Sequence, residues 1–100
     1  LLILSLLEEK DMYGYEMIDT LKGMSNNVFE LKAGTLYPLL HSMEEKGWLT
    51  VYEQEAGGKM RKYYRITRDG KKQYQAKKKE WKEYSEAILQ VIGGVCFGTA

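Results

Sequence analysis

Residues 31–49, Leu31-Lys32-Ala33-Gly34-Thr35-Leu36-Tyr37-Pro38-Leu39-Leu40-His41-Ser42-Met43-Glu44-Glu45-Lys46-Gly47-Trp48-Leu49, constrain this chain more than any other stretch. At helical period, Leu36, Leu39, Leu40 and Met43 gather on one side, as in a helix that faces a core. The other side carries Gly34, Tyr37, His41 and Ser42, which are small or hydrogen-bonding groups with one aromatic. An ordinary solvated face would carry Glu and Lys there. A helix with a packed back and such a front can lie in a groove of DNA. A surface helix whose Tyr37 and His41 merely pack would show the same spacing, so the neighbouring segments have to decide. Pro38 falls in the first two turns, where its ring presses on the carbonyl of Gly34, the residue with least bulk to clash. Gly47 supplies a C-terminal stop.

Two strands are expected next. Residues 48–54 alternate and are rich in β-formers, and residues 60–66 do the same after the turn Ala56-Gly57-Gly58-Lys59. A hairpin directly after such a helix makes a wing. Five positive charges at 59–68, interleaved with Tyr63 and Tyr64, suit phosphates and an adjacent minor groove. One face of the hairpin, including Tyr64 and Ile66, is expected to pack on the helices.

Charge distribution carries more than its total of +1. Residues 1–58 hold four basic and ten acidic side chains, whereas residues 59–100 hold eleven and four, so the halves carry −6 and +7. Between Lys59 and Lys79 the only acid is Asp69. Such asymmetry is the footprint of a nucleic acid or another anionic surface. Enzyme chemistry has little to work with. There is one His and one Cys, no spaced metal ligands, no glycine-rich phosphate loop and no nucleophile–base constellation, so neither catalytic residues, a metal nor a cofactor is expected. No apolar run reaches membrane-spanning length and no export signal is present. Cys96 cannot form an internal disulfide and fits a reducing cytoplasm. The chain opens at Leu1 inside an apolar run, so further natural N-terminal residues are expected to precede it.

Ahead of the organising helix, residues 1–9 are good helix formers with apolar groups all round, which predicts a buried helix. After a break at Lys10-Asp11, Tyr15, Ile18, Leu21 and Met24 recur at three-residue steps and predict a second helix ending near 23–27. Gly14, in its first turn, would admit either a phosphate or a close helix–helix contact. Residues 28–31 read as a brief extended piece. Beyond the wing, Thr67 is placed as an N-cap with Asp69 in the first turn. A helix over roughly 68–92 follows, closed by Gly93-Gly94. Tyr74, Trp81, Ile88 and Val95 recur every seven residues, with Tyr84 and Val91 three further on. That is a coiled-coil seam interrupted by Lys77, and it predicts contact with a second copy. The fold class expected is therefore mainly α with a small β hairpin. It comprises a winged helix-turn-helix over 1–67 and a C-terminal dimerisation helix and tail over 68–100.

At this point the residues resemble a known family. Tyr13-Gly14-Tyr15-Glu16-Met17-Ile18, Gly34-Thr35-Leu36-Tyr37-Pro38-Leu39-Leu40, Glu44-Glu45-Lys46-Gly47 and Gly57-Gly58-Lys59-Met60-Arg61-Lys62-Tyr63-Tyr64-Arg65-Ile66-Thr67 look like the PadR family of bacterial transcriptional regulators, in its short-C-terminal branch. The likeness covers about residues 1–85. It implies a homodimeric repressor on a palindromic double-stranded DNA operator, released by a small molecule. Carried across, it places Thr35, Tyr37 and His41 on the recognition helix, Lys59, Arg61 and Lys62 on the wing, and Tyr13 and Gly14 at the start of the preceding helix. Lys32, Gly34 and Tyr63 complete the DNA-facing set. Lys32-Ala33 departs from the family's usual Ser-Pro, and Met60 interrupts a basic wing. Tyr74, Trp81, Tyr84, Ile88 and Val91 are expected at the dimer interface. Trp81 and Tyr84 could line a slot there for a planar aromatic effector, or serve only as dimer anchors. The rival function is a winged-helix protein-interaction module.

Overall fold

The computed structural model describes residues 1–97, with side chains as far as residue 93. Its elements run α1 (Leu2–Glu9), β1 (Met12–Tyr13), α2 (Gly14–Met24), α3 (Ala33–Glu45), β2 (Leu49–Ala56), β3 (Lys59–Ile66) and α4 (Arg68–Phe97). Leu4, Leu7, Met17, Leu36, Leu40 and Leu49 are almost wholly buried, so α1, α2, α3 and the foot of β2 share one core. Tyr64 and Ile66 close it from β3, and Tyr74 closes it from α4.

The hairpin forms as its sequence requires. Gly57 and Gly58 have φ of +62° and +79°, the left-handed pair that a two-residue primed turn needs, and Ala56 opposes Lys59 across it. The register continues to Leu49 opposite Ile66. A third strand was not anticipated: β1 pairs antiparallel with β3, giving the order β1-β3-β2. The expected extended piece at 28–31 is a loop with Val28 and Phe29 exposed. Two residues at 12–13 are too short to show alternation. Only the free edge of β3 turns them into a strand.

The helix faces also shift from the expected ones. In α2 the buried side comprises Gly14, Met17 and Leu21, while Tyr15 and Met24 are exposed. A three-residue spacing lags the helix by about 60° per step, so positions 15 and 24 end on opposite sides. In α3, Leu36, Leu40 and Met43 are buried, but Leu39 lies at the edge of that arc and is 44% exposed. Pro38 stays inside α3, and Gly34 has open space on its solvent side. The helix closes at Gly47, φ +79°, with Gly47 N–H donating to the Glu44 carbonyl (3.0 Å) and Trp48 N–H to that of Met43 (3.0 Å). These are the paired bonds of a Schellman ending.

Gly93 and Gly94 do not end α4, which runs through both to Phe97. Gly93 does not take the left-handed φ that closes α3. Glycine lowers helix propensity without removing a hydrogen bond, so it stops a helix only where the chain must turn. Thr67 caps α4 as expected: its Oγ1 accepts from Gly70 N–H at 3.0 Å and donates to the Gly47 carbonyl at 2.6 Å.

Candidate nucleic-acid interface

Lys32 takes the N-cap position of α3 in extended backbone, without a side-chain cap bond. Its carbonyl accepts from Thr35 and Leu36, so its side chain is left at the helix entrance. Gly34, Thr35 and His41 follow on the exposed side of α3. Tyr37 is different. It is half-buried, and a Cβ placed on buried Gly14 would run into its phenol end. At Gly14, α2 and α3 approach through the gap that a missing side chain leaves.

The wing residues divide by whether the side chain is held against the protein. Lys59, Met60 and Lys62 are exposed, and no ion pair involves them among the described residues. Arg61 is held against the protein. Its guanidinium lies 4.5 Å from the centre of the Tyr13 ring, and its Nε donates to the Ala56 carbonyl at 3.3 Å. Tyr63 meets Tyr13 edge-to-face at 5.4 Å and stacks on Tyr52 at 5.6 Å. The series ends at Asp11, whose Oδ2 accepts from Tyr52 Oη (2.7 Å) and Arg65 Nε (3.1 Å). That hydrogen bond, which favours the protonated phenol, is the main reason the Tyr52 pKa is raised. Tyr13, Arg61 and Tyr63 thus brace the outer face of the sheet, and Asp11 ties both wing strands to the turn before α2. Lys10 pairs with Glu16 at 2.9 Å, and Glu16 accepts from Tyr13 N–H at 3.3 Å, which anchors the start of α2 to the same turn.

Three elements nevertheless converge. Tyr13, Gly14, Tyr15, Tyr37, Met60, Arg61 and Lys62 line a hollow of about 230 Å3 between the start of α2, α3 and the wing. The helix N-terminus contributes a positive dipole end and the wing contributes cations, so the hollow favours an anion. Tyr15 was missed because its three-residue spacing pointed it into the core. Lys32, Gly34, Thr35 and His41 lie outside the hollow and form the free front of α3.

On α4 the predicted seam divides. Tyr74 is 9% exposed and belongs to the protomer's own core, so it is unavailable to a partner. Its position follows from Gly70, one turn earlier, where a Cβ would collide with the Trp48 carbonyl and with Ile66; the start of α4 therefore lies tight against the sheet. Trp81, Tyr84, Ile88 and Val91 continue the same side beyond the body and are exposed. The Trp81 and Tyr84 rings lie 6.0 Å apart. Lys77, the gap in the seam, turns its ammonium to 5.6 Å from the Trp48 ring. No helix among the described residues is long and apolar enough to cross a membrane, and no cluster of three or more His, Cys, Asp or Glu there could hold a metal.

A helix pair closed on a small residue, an exposed polar front on the second helix and a basic hairpin braced behind it define a winged helix-turn-helix. The family model described as the transcriptional regulator PadR-like family matches residues 3–76, and the chain belongs to that family, whose members are regulators and not enzymes. An uncharacterised protein of Lysinibacillus sphaericus is 43% identical over 94% of this chain and 87% of its own length. The crystal structure of a PadR family transcription regulator from Clostridium difficile R20291 is 38% identical, with a TM-score of 0.77 over 91% of this chain and 94% of that one. Bacillus subtilis PadR, solved in complex with operator DNA, is 26% identical, with a TM-score of 0.67 over 75% of this chain and 42% of that one.

Proposed function

We propose that this chain is a cytoplasmic homodimeric repressor that binds a palindromic double-stranded operator and is released by a small molecule. The observation that carries the reading is the exposed front of α3 beside Lys59 and Lys62, exposed and without an ion pair among the described residues, with the start of α2 facing the same hollow. Thr35 and His41 read base edges in this assignment, while Lys32 and Lys62 hold phosphates. Tyr37 sets the distance between α2 and α3 and presents only its free edge. The operator complex of the Bacillus subtilis relative supports a DNA partner. The dimer reading is supported by Trp81, Tyr84, Ile88 and Val91, an apolar row continuous with the core face of α4. Two copies joined there would set their recognition helices about one DNA turn apart, roughly 34–36 Å.

Selection from random-sequence duplexes tests this directly. Recovery of a palindrome with half-sites one turn apart is expected. Weak, unselective binding would move the function to a protein-interaction module. With the operator in hand, Thr35→Ala or His41→Ala should cost on the order of 1–3 kcal/mol and relax specificity at one base. Lys62→Ala should weaken all sequences alike.

For the effector, Leu1, Lys77, Glu80, Trp81 and Tyr84 line an open hollow of about 510 Å3 beside the seam. A planar aromatic molecule stacked on Trp81 would quench its fluorescence. Titration of the wild type and of Trp81→Phe, which leaves Trp48 as the reporter, should therefore differ. Equal quenching in both removes the slot and leaves Trp81 as a dimer anchor.

A further inference from the structure

Arg68, Lys71, Lys72, Lys79 and Lys82 fall within an arc of about 100° around α4, since successive residues turn by about 100°. All five are exposed, and none forms an ion pair among the described residues. Gly70 and Tyr74, which pack on the body, occupy the far side of the helix. Two other lysines are turned onto the protein, Lys77 over Trp48 and Lys78 over Tyr74, each at 5.6 Å. Along the arc from Arg68 to Lys82 no acidic side chain intervenes, and Gln75 fills its centre.

Helix stability does not account for this pattern. Cations in the first turn oppose the positive end of the helix dipole, and Asp69 is the single acid there. Arg68 and Lys72 repel at i,i+4, as do Arg68 with Lys71 and Lys79 with Lys82 at i,i+3, where a solvated face would alternate Glu with Lys. Glu83 and Glu86 offset Lys79 and Lys82 at i,i+4, but around Arg68, Lys71 and Lys72 only Asp69 lies at such a spacing. At that end a local rule is broken with little internal compensation, which marks a surface completed by something else. Between Arg68 and Lys82 the arc is bordered by Asp69, Ala76 and Glu83 on one side and by Lys78 and Ser85 on the other, with none of the large apolar groups that a helix lying on a lipid surface sinks between headgroups. Its length, about 21 Å at 1.5 Å per residue, equals about six base-pair rises along the duplex axis.

We propose that this stripe is a second, sequence-independent phosphate-binding surface for double-stranded DNA, engaging duplex that α3 and the wing do not occupy. It rests on the DNA-binding reading above and extends it: the protein would hold DNA outside its operator contacts by charge alone.

The test compares the wild-type chain with Lys72→Gln/Lys79→Gln/Lys82→Gln on random-sequence duplexes of two lengths. One is no longer than an operator footprint of about two helical turns, and the other is several times longer. The salt dependence of affinity is read, because its slope counts phosphates contacted per protein regardless of how many sites a duplex offers. On the long duplex the variant should lose about 2 to 3 from the slope for each protomer bound. On the short duplex it should match the wild type, which also shows that it folds. Equal slopes for variant and wild type on both lengths would overturn the proposal. An equal loss on both lengths would overturn it too, by placing the stripe inside the operator contacts. Unchanged DNA binding with lost retention on anionic phospholipid vesicles would assign the stripe to a membrane surface instead. Failure of the wild type to bind DNA of either length would bring down the DNA reading itself, a result distinct from the other three.

Discussion

Raising the salt from 50 to 200 mM should weaken operator binding by roughly a thousandfold to a hundred-thousandfold if six to ten phosphates are contacted per dimer. The reason lies in which cations are free. Lys32, Lys59 and Lys62 are exposed and unpaired among the described residues, whereas Arg61 and Arg65 are committed to the sheet. Each lysine seated on a phosphate releases condensed counterions and adds about 0.9 to the slope. Filter binding or anisotropy across a salt series reads it directly. A nearly flat dependence would mean that these lysines do not meet DNA. Within this expectation Lys62→Ala should reduce the slope by about 1 for each protomer. Arg65→Ala should leave it nearly unchanged, because that guanidinium is already neutralised by Asp11 on the outer face of the sheet.

The second large effect is on stability. Gly70→Val should lower the free energy of unfolding by about 3 kcal/mol or more, because the added carbons meet a backbone carbonyl that has no rotamer by which to retreat. That carbonyl belongs to Trp48 and already accepts from Thr67 N–H at 2.9 Å, so moving it would break the joint between α3, β2 and α4. In a chain this size the melting temperature should fall by roughly 12–24 °C. Gly93→Ala is the contrast. Gly93 has open space around it, and the better helix former should be neutral or gain up to about 1 kcal/mol. Thermal melts of the two variants beside the wild type decide it, and equal stabilities would show that the joint is not tightly packed. The same joint fixes α4 to the end of the recognition helix, so Gly70→Val should also weaken operator binding beyond what partial unfolding explains.

Much of the architecture was legible because local chemistry and global fold agree. The apolar spacing of α3, its Gly47 ending, the double-glycine turn and the Thr67 cap are each written within a few residues, and each forms as written. The faces of α2 were less legible. Its apolar residues outnumber those its short length can bury, and only packing against α1 and α3 selects Met17 and Leu21 over Tyr15 and Met24. Strand β1 was invisible for a related reason: a two-residue strand has no periodicity, and it exists because β3 offers an unpaired edge.

The candidate site divides along the same line. The sequence placed small and polar side chains on the front of α3 and cations on the wing, because a helix front without Glu or Lys and a run of wing cations are composition signals. It did not distinguish a side chain left exposed from one that holds the scaffold. Tyr37 and Gly14, or Arg61, Tyr13 and Tyr63, are polar or aromatic groups at suitable positions either way. Their partners lie far away in the chain, as Asp11 does from Arg65, and no local pattern records such a pairing. The sequence alone determined the winged-helix order, the charge asymmetry and the apolar row on α4. The tertiary structure decided which of those charges and rings remain free to meet a partner, because burial and pairing depend on contacts between segments that only folding brings together.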